Sequence, residues 1–322
     1  MTQPNYHLRP HKSVDRNLFC EAIRHFDIRK ISEYRYIGFG SYEFDEFKLF
    51  HRNFGIQDMH SIEADPNIYS RQKFNKPYDF IKLYNKKCSD YIDEDFETDK
   101  RCIFWMDFSD ASDKESQFED ISNLISKTDK DDIVRVTLNA QASSITVSDE
   151  YQSLPSEKKR LARFSSLKNS LSDIFPATAT EEYVTNQKYP YLLLELLHNA
   201  SYKNLSADLI ICPICAYVYS DGQQMLTVTM LIMDSGSKER KQKEIEESFS
   251  DWLDFVNIGS WKDIVNLALP SLTIHEQISL SQIEKTDEKI LEASRELGIS
   301  ERDIRSFFRF IRYYPNYQHV IL

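Results

Sequence analysis

The stretch YRYIGFGSYEFDEFKLFHRNFGIQDMHSIEAD, Tyr34 to Asp65, decides the fold. Its opening aromatic and β-branched run reads as a strand, followed by Gly38 and Gly40, two of only seven glycines in 322 residues. Phe44, Phe47 and either Phe50 or Phe54 recur at helical spacing, with Ser41 as a plausible N-cap and Gly55 as the C-terminal stop. DMHSIEAD is then a second strand that ends in acids. Strand, glycines, helix, strand and acid describe a βαβ unit with a ligand-sized turn.

Outward from that unit the same alternation continues. Residues 1–30 read as an N-terminal helical leader with an amphipathic helix over 16–26. A helix over 68–74, a strand in YDFIKLY, a solvated acidic connection in DYIDEDFETDK and a strand in RCIFWMDFSD follow. SQFEDISNLISK is a helix and DDIVRVTLNA a fifth strand. The succession requires a largely parallel α/β sheet covered on both faces. Residues 141–191, with a helix over 157–171, form an insertion or lid, and 192–200 a further helix. ADLIICPICAYVYSDGQQMLTVTMLIMD is a closing pair of strands, antiparallel because SDGQQ is too short for a crossover. The main domain therefore runs over 31–265, and 266–322 is a helical extension packed on it, its apolar ending YPNYQHVIL tied down to the fold.

A hydrophobic content of 41% with 28% charged residues excludes a disordered chain. The net charge of −11 disfavours nucleic acid as a partner, although a local basic face overrides an average. The basic N-terminal run with Lys12, Arg16, Arg24 and Lys30 reads as a solvated helix face. Five cysteines, an odd count with no apolar leader, fit a reducing cytoplasm, and no run is long enough to cross a membrane.

The strand ends name the candidate site. A parallel sheet binds ligands beyond its carboxyl ends, where Gly38, Gly40, Ser41, Glu63, Asn85, Asp107, Asp110 and Asn139 fall. Glu63 follows Gly40 at the spacing of an acid that accepts from a ribose hydroxyl pair. The run GFGSYEF supplies no third glycine, and its acids oppose phosphates at the helix start. A cationic nucleoside without phosphates, such as S-adenosylmethionine, suits this surround better than a dinucleotide.

The plan resembles that of class I methyltransferases: glycines after strand one, an acid after strand two, a polar residue after strand four and a terminal antiparallel strand. YIGFGSYEFDEFKLFHRNFGIQDMHSIEAD, FNKPYDFIKLY, FWMDFSD, LPSLTIHEQISL and SFFRFIRYYPNYQHVIL resemble segments of a poorly characterised bacterial O-methyltransferase family. The resemblance implies a Rossmann-like class I methyltransferase sheet, mostly parallel with a terminal antiparallel pair. It implies S-adenosylmethionine as cofactor, with Gly38, Gly40 and Ser41 near its methionine part, Glu63 on the ribose, and Asp107 with Phe108 at the amino group or adenine. Asp107 and Asp110 are the candidate catalytic acids. A small-molecule or protein acceptor is expected, and the resemblance carries an expectation of a phage-defence role. The alternatives are a catalytically inactive interaction or sensing protein on the same fold, and another nucleotide-using enzyme.

Other features read as structure. His60 inside a strand is a core histidine, and His51 lies at a surface or interface. Cys212 and Cys215 of CPIC are buried structural thiols, on opposite faces if their strand is regular. DFSDASDKE is a solvated loop and not a metal site, and FFRFIRYYPNY packs one core face of a helix against the sheet.

Overall fold

The computed structural model describes residues 9–26, 30–147 and 155–314. The terminal segment YPNYQHVIL, expected to be tied down, lies outside them from its second residue on. Five parallel strands, β1 (Arg35–Phe39), β2 (Asp58–Ile62), β3 (Ile81–Tyr84), β4 (Cys102–Phe108) and β5 (Ile133–Asn139), are joined by an antiparallel pair. That pair is β6 (Leu209–Ser220) and β7 (Gln224–Asp234), and a two-residue β8 (Val265–Asn266) runs parallel to β6. The order is β3-β2-β1-β4-β5-β7-β6-β8, with β5 antiparallel to β7. The expected Rossmann-like class I methyltransferase sheet is present, and strand order reverses between β1 and β4.

β4 shows why the sequence runs apolar without alternation. Cys102, Phe104 and Met106 enter one core layer while Ile103 and Trp105 enter the other. The first layer is filled by helices α4 (Cys88–Glu94), α5 (Lys114–Ser126), α6 (Ser156–Ser170) and α7 (Tyr189–Lys203). The second is filled by α1 (Pro10–His25), α2 (Asp45–Phe54) and α8 (Lys238–Ser248). α3 (Pro66–Asn75) lies along the β3 edge. The tail helices α9 (Ile274–Ser281), α10 (Asp287–Leu297) and α11 (Glu301–Phe310) enclose a small core of their own around Leu280, Ile290, Ile304 and Phe307.

Three local readings change. The acidic DYIDEDF is not a solvated connection: α4 occupies it, because Cys88, Tyr91 and Ile92 turn one side into the core. Ser41 is not the N-cap of α2. Its Oγ accepts from the Glu43 amide at 3.1 Å, and the cap position falls to Phe44 in the left-handed region at φ 53°. A bulky residue there is strained, and its full burial against Phe47 offsets the strain. Gly55 does end the helix, at φ 69°. Cys212 and Cys215 share one face, since a bulge between Pro213 and Cys215 shifts the register by one residue.

The helix of the 1–30 segment is a full part of the second layer. Val14, Leu18, Phe19, Ala22 and Ile23 are buried, with the Phe19 ring edge-on to Trp105 at 5.4 Å. Of the aromatic tail, Phe310 and Tyr313 join this layer, whereas Phe307 and Phe308, expected against the sheet, are buried in the tail's own core.

A candidate cofactor cleft at the carboxyl edge of the sheet

The reversal in strand order opens a crevice between the ends of β1 and β4. A cleft of about 590 Å³ occupies it, inside the range of ~300–1,000 Å³ usual for small-molecule sites. Gly40, Ser41, Glu63, Asp107, Phe108 and Asp110 all line it. The Phe39 and Phe108 rings meet edge-on at 5.2 Å across the switch point. Gly38 does not line the cleft.

Neither glycine of the ligand-sized turn leaves its β-carbon space to a ligand. A β-carbon on Gly38 would stand 2.8 Å from the Tyr36 hydroxyl, and one on Gly40 would overlap Ser61 Oγ. Both spaces are filled by the protein's own side chains. Gln72 of α3, fully buried, donates from Nε2 to the Gly40 carbonyl and so pins the loop that borders the cleft.

Glu63 is partly fixed in place. Its Oε1 accepts the Asp65 amide at 2.8 Å, Asn85 Nδ2 donates to its carbonyl at 2.8 Å, and burial raises its carboxyl above the usual range. Asp107 is held from behind: Lys12 of α1 donates from Nζ to Asp107 Oδ2 at 2.8 Å. Burial works against that ammonium, but Asp107, Tyr219 and Asp15 outweigh it and raise the lysine's pKa. The Lys12 ammonium also lies 5.1 Å from the centre of the Trp105 ring.

Asp110 is ill suited to accept a proton. Ser112 donates to its Oδ1 from both amide and hydroxyl at 2.8 Å, and these bonds hold its carboxyl below the usual range. Asp120, which also lines the cleft, is the opposite case. Burial, with Asp113 and Glu119 adding repulsion, pushes its pKa up to about 6. Lys114, beneath the rim, is pushed down to about 8 by burial and donates to Gln117 Oε1 at 3.0 Å. No group of three or more His, Cys, Asp or Glu residues among those described has the arrangement of a metal site.

Sequence reasoning missed Lys12, Arg16 and Asp120. Arg16 of α1 lines the cleft and forks onto Glu46 at 2.6 and 2.8 Å. His11 and Asp221 meet at 2.7 Å, anchoring the start of α1 to the β6–β7 turn. The positions 12, 16 and 120 sit at helical offsets next to other charges, so spacing alone reads them as solvated faces. His60 is a core histidine, 2.5 Å from the Tyr91 hydroxyl, and His51 packs against Tyr78 and Phe80.

Among solved structures, the chain is similar to Trm1 from Pyrococcus horikoshii in complex with S-adenosyl-L-methionine, at 11% identity and a TM-score of 0.46, over 74% of this chain and 58% of that one. It is also similar to cofactor-bound Rv0187 from MTB, at 11% identity and a TM-score of 0.41, over 73% and 85%. The N-methyltransferase NodS from Bradyrhizobium japonicum WM9 gives 9% identity and a TM-score of 0.38, over 69% and 97%. No curated protein matches the sequence. Residues 4–322 match the family described as "Putative O-methyltransferase", and the chain belongs to that family.

Proposed function

We propose that the protein is an S-adenosylmethionine-dependent methyltransferase. The observation that carries this is the convergence of Glu63, Gly40, Ser41, Asp107 and Phe108 on one cleft at the strand-order switch. The donor set fits the cofactor: seven carboxylates line the cleft, Glu46, Glu63, Asp107, Asp110, Asp113, Glu119 and Asp120, against Arg16, Lys86 and Lys87. Arg16 and Lys86 are both engaged by acids, so the cleft favours a ligand carrying positive charge. When bound, the cofactor supplies a sulfonium methyl group for transfer.

The chain's own residues then orient and hold charge. Glu63 offers acceptor oxygens to a ribose, Asp107 presents a carboxylate steadied by Lys12, and Phe108 borders an apolar ring face. Asp120 is the lining group suited to take a proton from the methyl acceptor near neutral pH. All five cysteines are free and buried, which fits the reducing cytoplasm as the site of action.

Calorimetric titration with S-adenosylmethionine and S-adenosylhomocysteine tests the reading. Both are expected to bind, and Glu63→Gln to weaken binding by about tenfold or more, the loss of a hydrogen bond to a charged group. Absence of binding by either ligand, with Glu63→Gln silent, would sink the cofactor assignment.

A further inference from the structure

Helix α6 is strongly basic in an acidic chain. Its 15 residues carry Lys158, Lys159, Arg160, Arg163 and Lys168 against one acid, Glu157. Among the described residues none of these cations has an ion-pair partner. Glu182 and Asp173, acids of the neighbouring segments, are paired instead with Lys188 at 3.1 Å and Lys203 at 3.3 Å. A cluster of like charges without an ion-pair partner among the described residues repels itself, and so attracts an external anion even in a chain of net charge −11.

Hydrogen bonds tie the helix to the end of β5, the strand next to the one whose end borders the cleft. Arg163 donates to the Ser143 carbonyl at 3.1 Å, and Gln141 Nε2 donates to Ser143 Oγ at 3.0 Å. The Gln141 amide donates to Asn139 Oδ1 at 3.0 Å, at the end of β5 next to the strand whose Asp107 and Phe108 line the cleft. The apolar residues of α6 do not suit a bilayer. Leu167 is buried and Phe164 is turned against the same core, which leaves Leu161 as the large apolar residue exposed among the lysines.

We infer that α6 is the docking surface for a nucleic-acid strand that carries the methyl acceptor. The inference rests on the methyltransferase reading for its chemistry, though not for the binding itself. From Lys158 to Lys168 the helix rises ~15 Å, the length of about four phosphates along one strand of a duplex. The acids of the rim, Asp110, Asp113, Glu119 and Asp120, repel phosphates from the cleft and keep the backbone on α6. Only a base, unstacked from the strand, then reaches across to the cofactor.

Binding of labelled short RNA, single-stranded DNA and duplex DNA to the full chain, measured by anisotropy between about 50 and 200 mM salt, tests this. At least one is expected to bind, with a log–log salt slope of about −0.7 per phosphate contact or steeper. The combined variant Lys158→Ala, Lys159→Ala, Lys168→Ala changes exposed or half-exposed positions only. It is expected to lower affinity about tenfold or more and to make the slope shallower by about 2, with S-adenosylmethionine titration unchanged. Binding that is indifferent to these substitutions overturns the inference, as does failure of all three polynucleotides at the lowest salt. Anionic vesicles bound where polynucleotides are not would assign α6 to a membrane and overturn it too. Polynucleotide binding through α6 without cofactor binding defeats the methyltransferase reading and leaves the surface standing.

Discussion

The two edges of the sheet each open onto a cavity, and the larger is not the one at the strand-order switch. At the amino edge a space of about 1,440 Å³ is lined by Lys30, Asp58, Asp99, Lys100, Arg101 and Lys241 among others, well over the 590 Å³ of the carboxyl-edge cleft. The difference lies in how the charges are held. Most amino-edge pairs are partly in water, such as Lys30 with Glu33 at 73% and 66% exposure and Lys241 with Asp131 at 38% and 40%, while Arg35, 3% exposed against Asp58, is the buried exception. At the carboxyl edge Lys12 and Arg16 are 5% and 11% exposed, and within the sheet Arg135 is 0% exposed, each against a carboxylate. Exposed pairs are screened and exchangeable, whereas buried ones fix a direction at a desolvation cost. Volume therefore does not mark the candidate site; its place at the strand-order switch, with buried charge beside it, does.

The hardest test of that contrast is Arg135→Met against Lys100→Met. Arg135 meets Asp15 at 2.5 Å with both side chains fully buried, and also donates to Thr229 Oγ1. Its loss strands a carboxylate in the core and is expected to cost about 3–5 kcal/mol in urea unfolding. Lys100, 46% exposed beside Asp58, is expected to cost less than about 1 kcal/mol. Equal effects would erase the distinction between buried and exposed pairs.

The same contrast explains what was legible in the sequence. The strands around Tyr36, Met59, Phe104 and Val136 were readable because apolar runs bounded by turns have one structural meaning. So was Glu63, because its distance from Gly40 is set by one helix and one strand. Lys12 was not, since its partner Asp107 lies 95 residues away and helical periodicity says nothing about a charge on another element. Asp15 and Arg135 fail for the same reason. α4 was hidden because its only strong apolar pair, Tyr91 and Ile92, is adjacent instead of spaced by a turn, and Phe44 because nothing in a phenylalanine announces positive φ.

Glycines sharpen the comparison next. Gly40→Ala at the carboxyl edge places a β-carbon into Ser61 Oγ beside Gln72, and is expected to cost about 2–3 kcal/mol by overpacking. Gly55→Ala at the amino edge meets nothing closer than Ser32 Cβ at 3.8 Å, so its penalty of about 1–2 kcal/mol is the left-handed backbone alone. Ser61→Gly is the discriminating partner. It should recover much of the loss in Gly40→Ala and none of that in Gly55→Ala, as read from thermal midpoints of the double variants.

The smallest effect joins the two edges through His60. Its Nδ1 is 2.5 Å from the Tyr91 hydroxyl, and its Nε2 is 3.4 Å from Asp58 Oδ1, which belongs to the amino-edge charges. Burial, with Arg35 adding repulsion, lowers its pKa to about 4 from the ordinary 6.5. Between those values the unfolded chain holds a proton that the folded chain does not, so stability falls as the pH drops from 6.5 towards 4. At pH 5 the loss from this group is up to about 2 kcal/mol. Asp120 and Asp132, both raised to about 6, push stability the other way over part of the same range. Those contributions are common to the wild type and to His60→Gln, and cancel in the difference. Urea unfolding of the two proteins at pH 7 and pH 5 should show the variant gaining on the wild type by up to about 2 kcal/mol on acidification. A gap that stays constant would mean that His60 keeps its proton affinity in the fold, and that the Asp58 carboxylate acts on it more strongly than its pairing with Arg35 and Lys100 indicates.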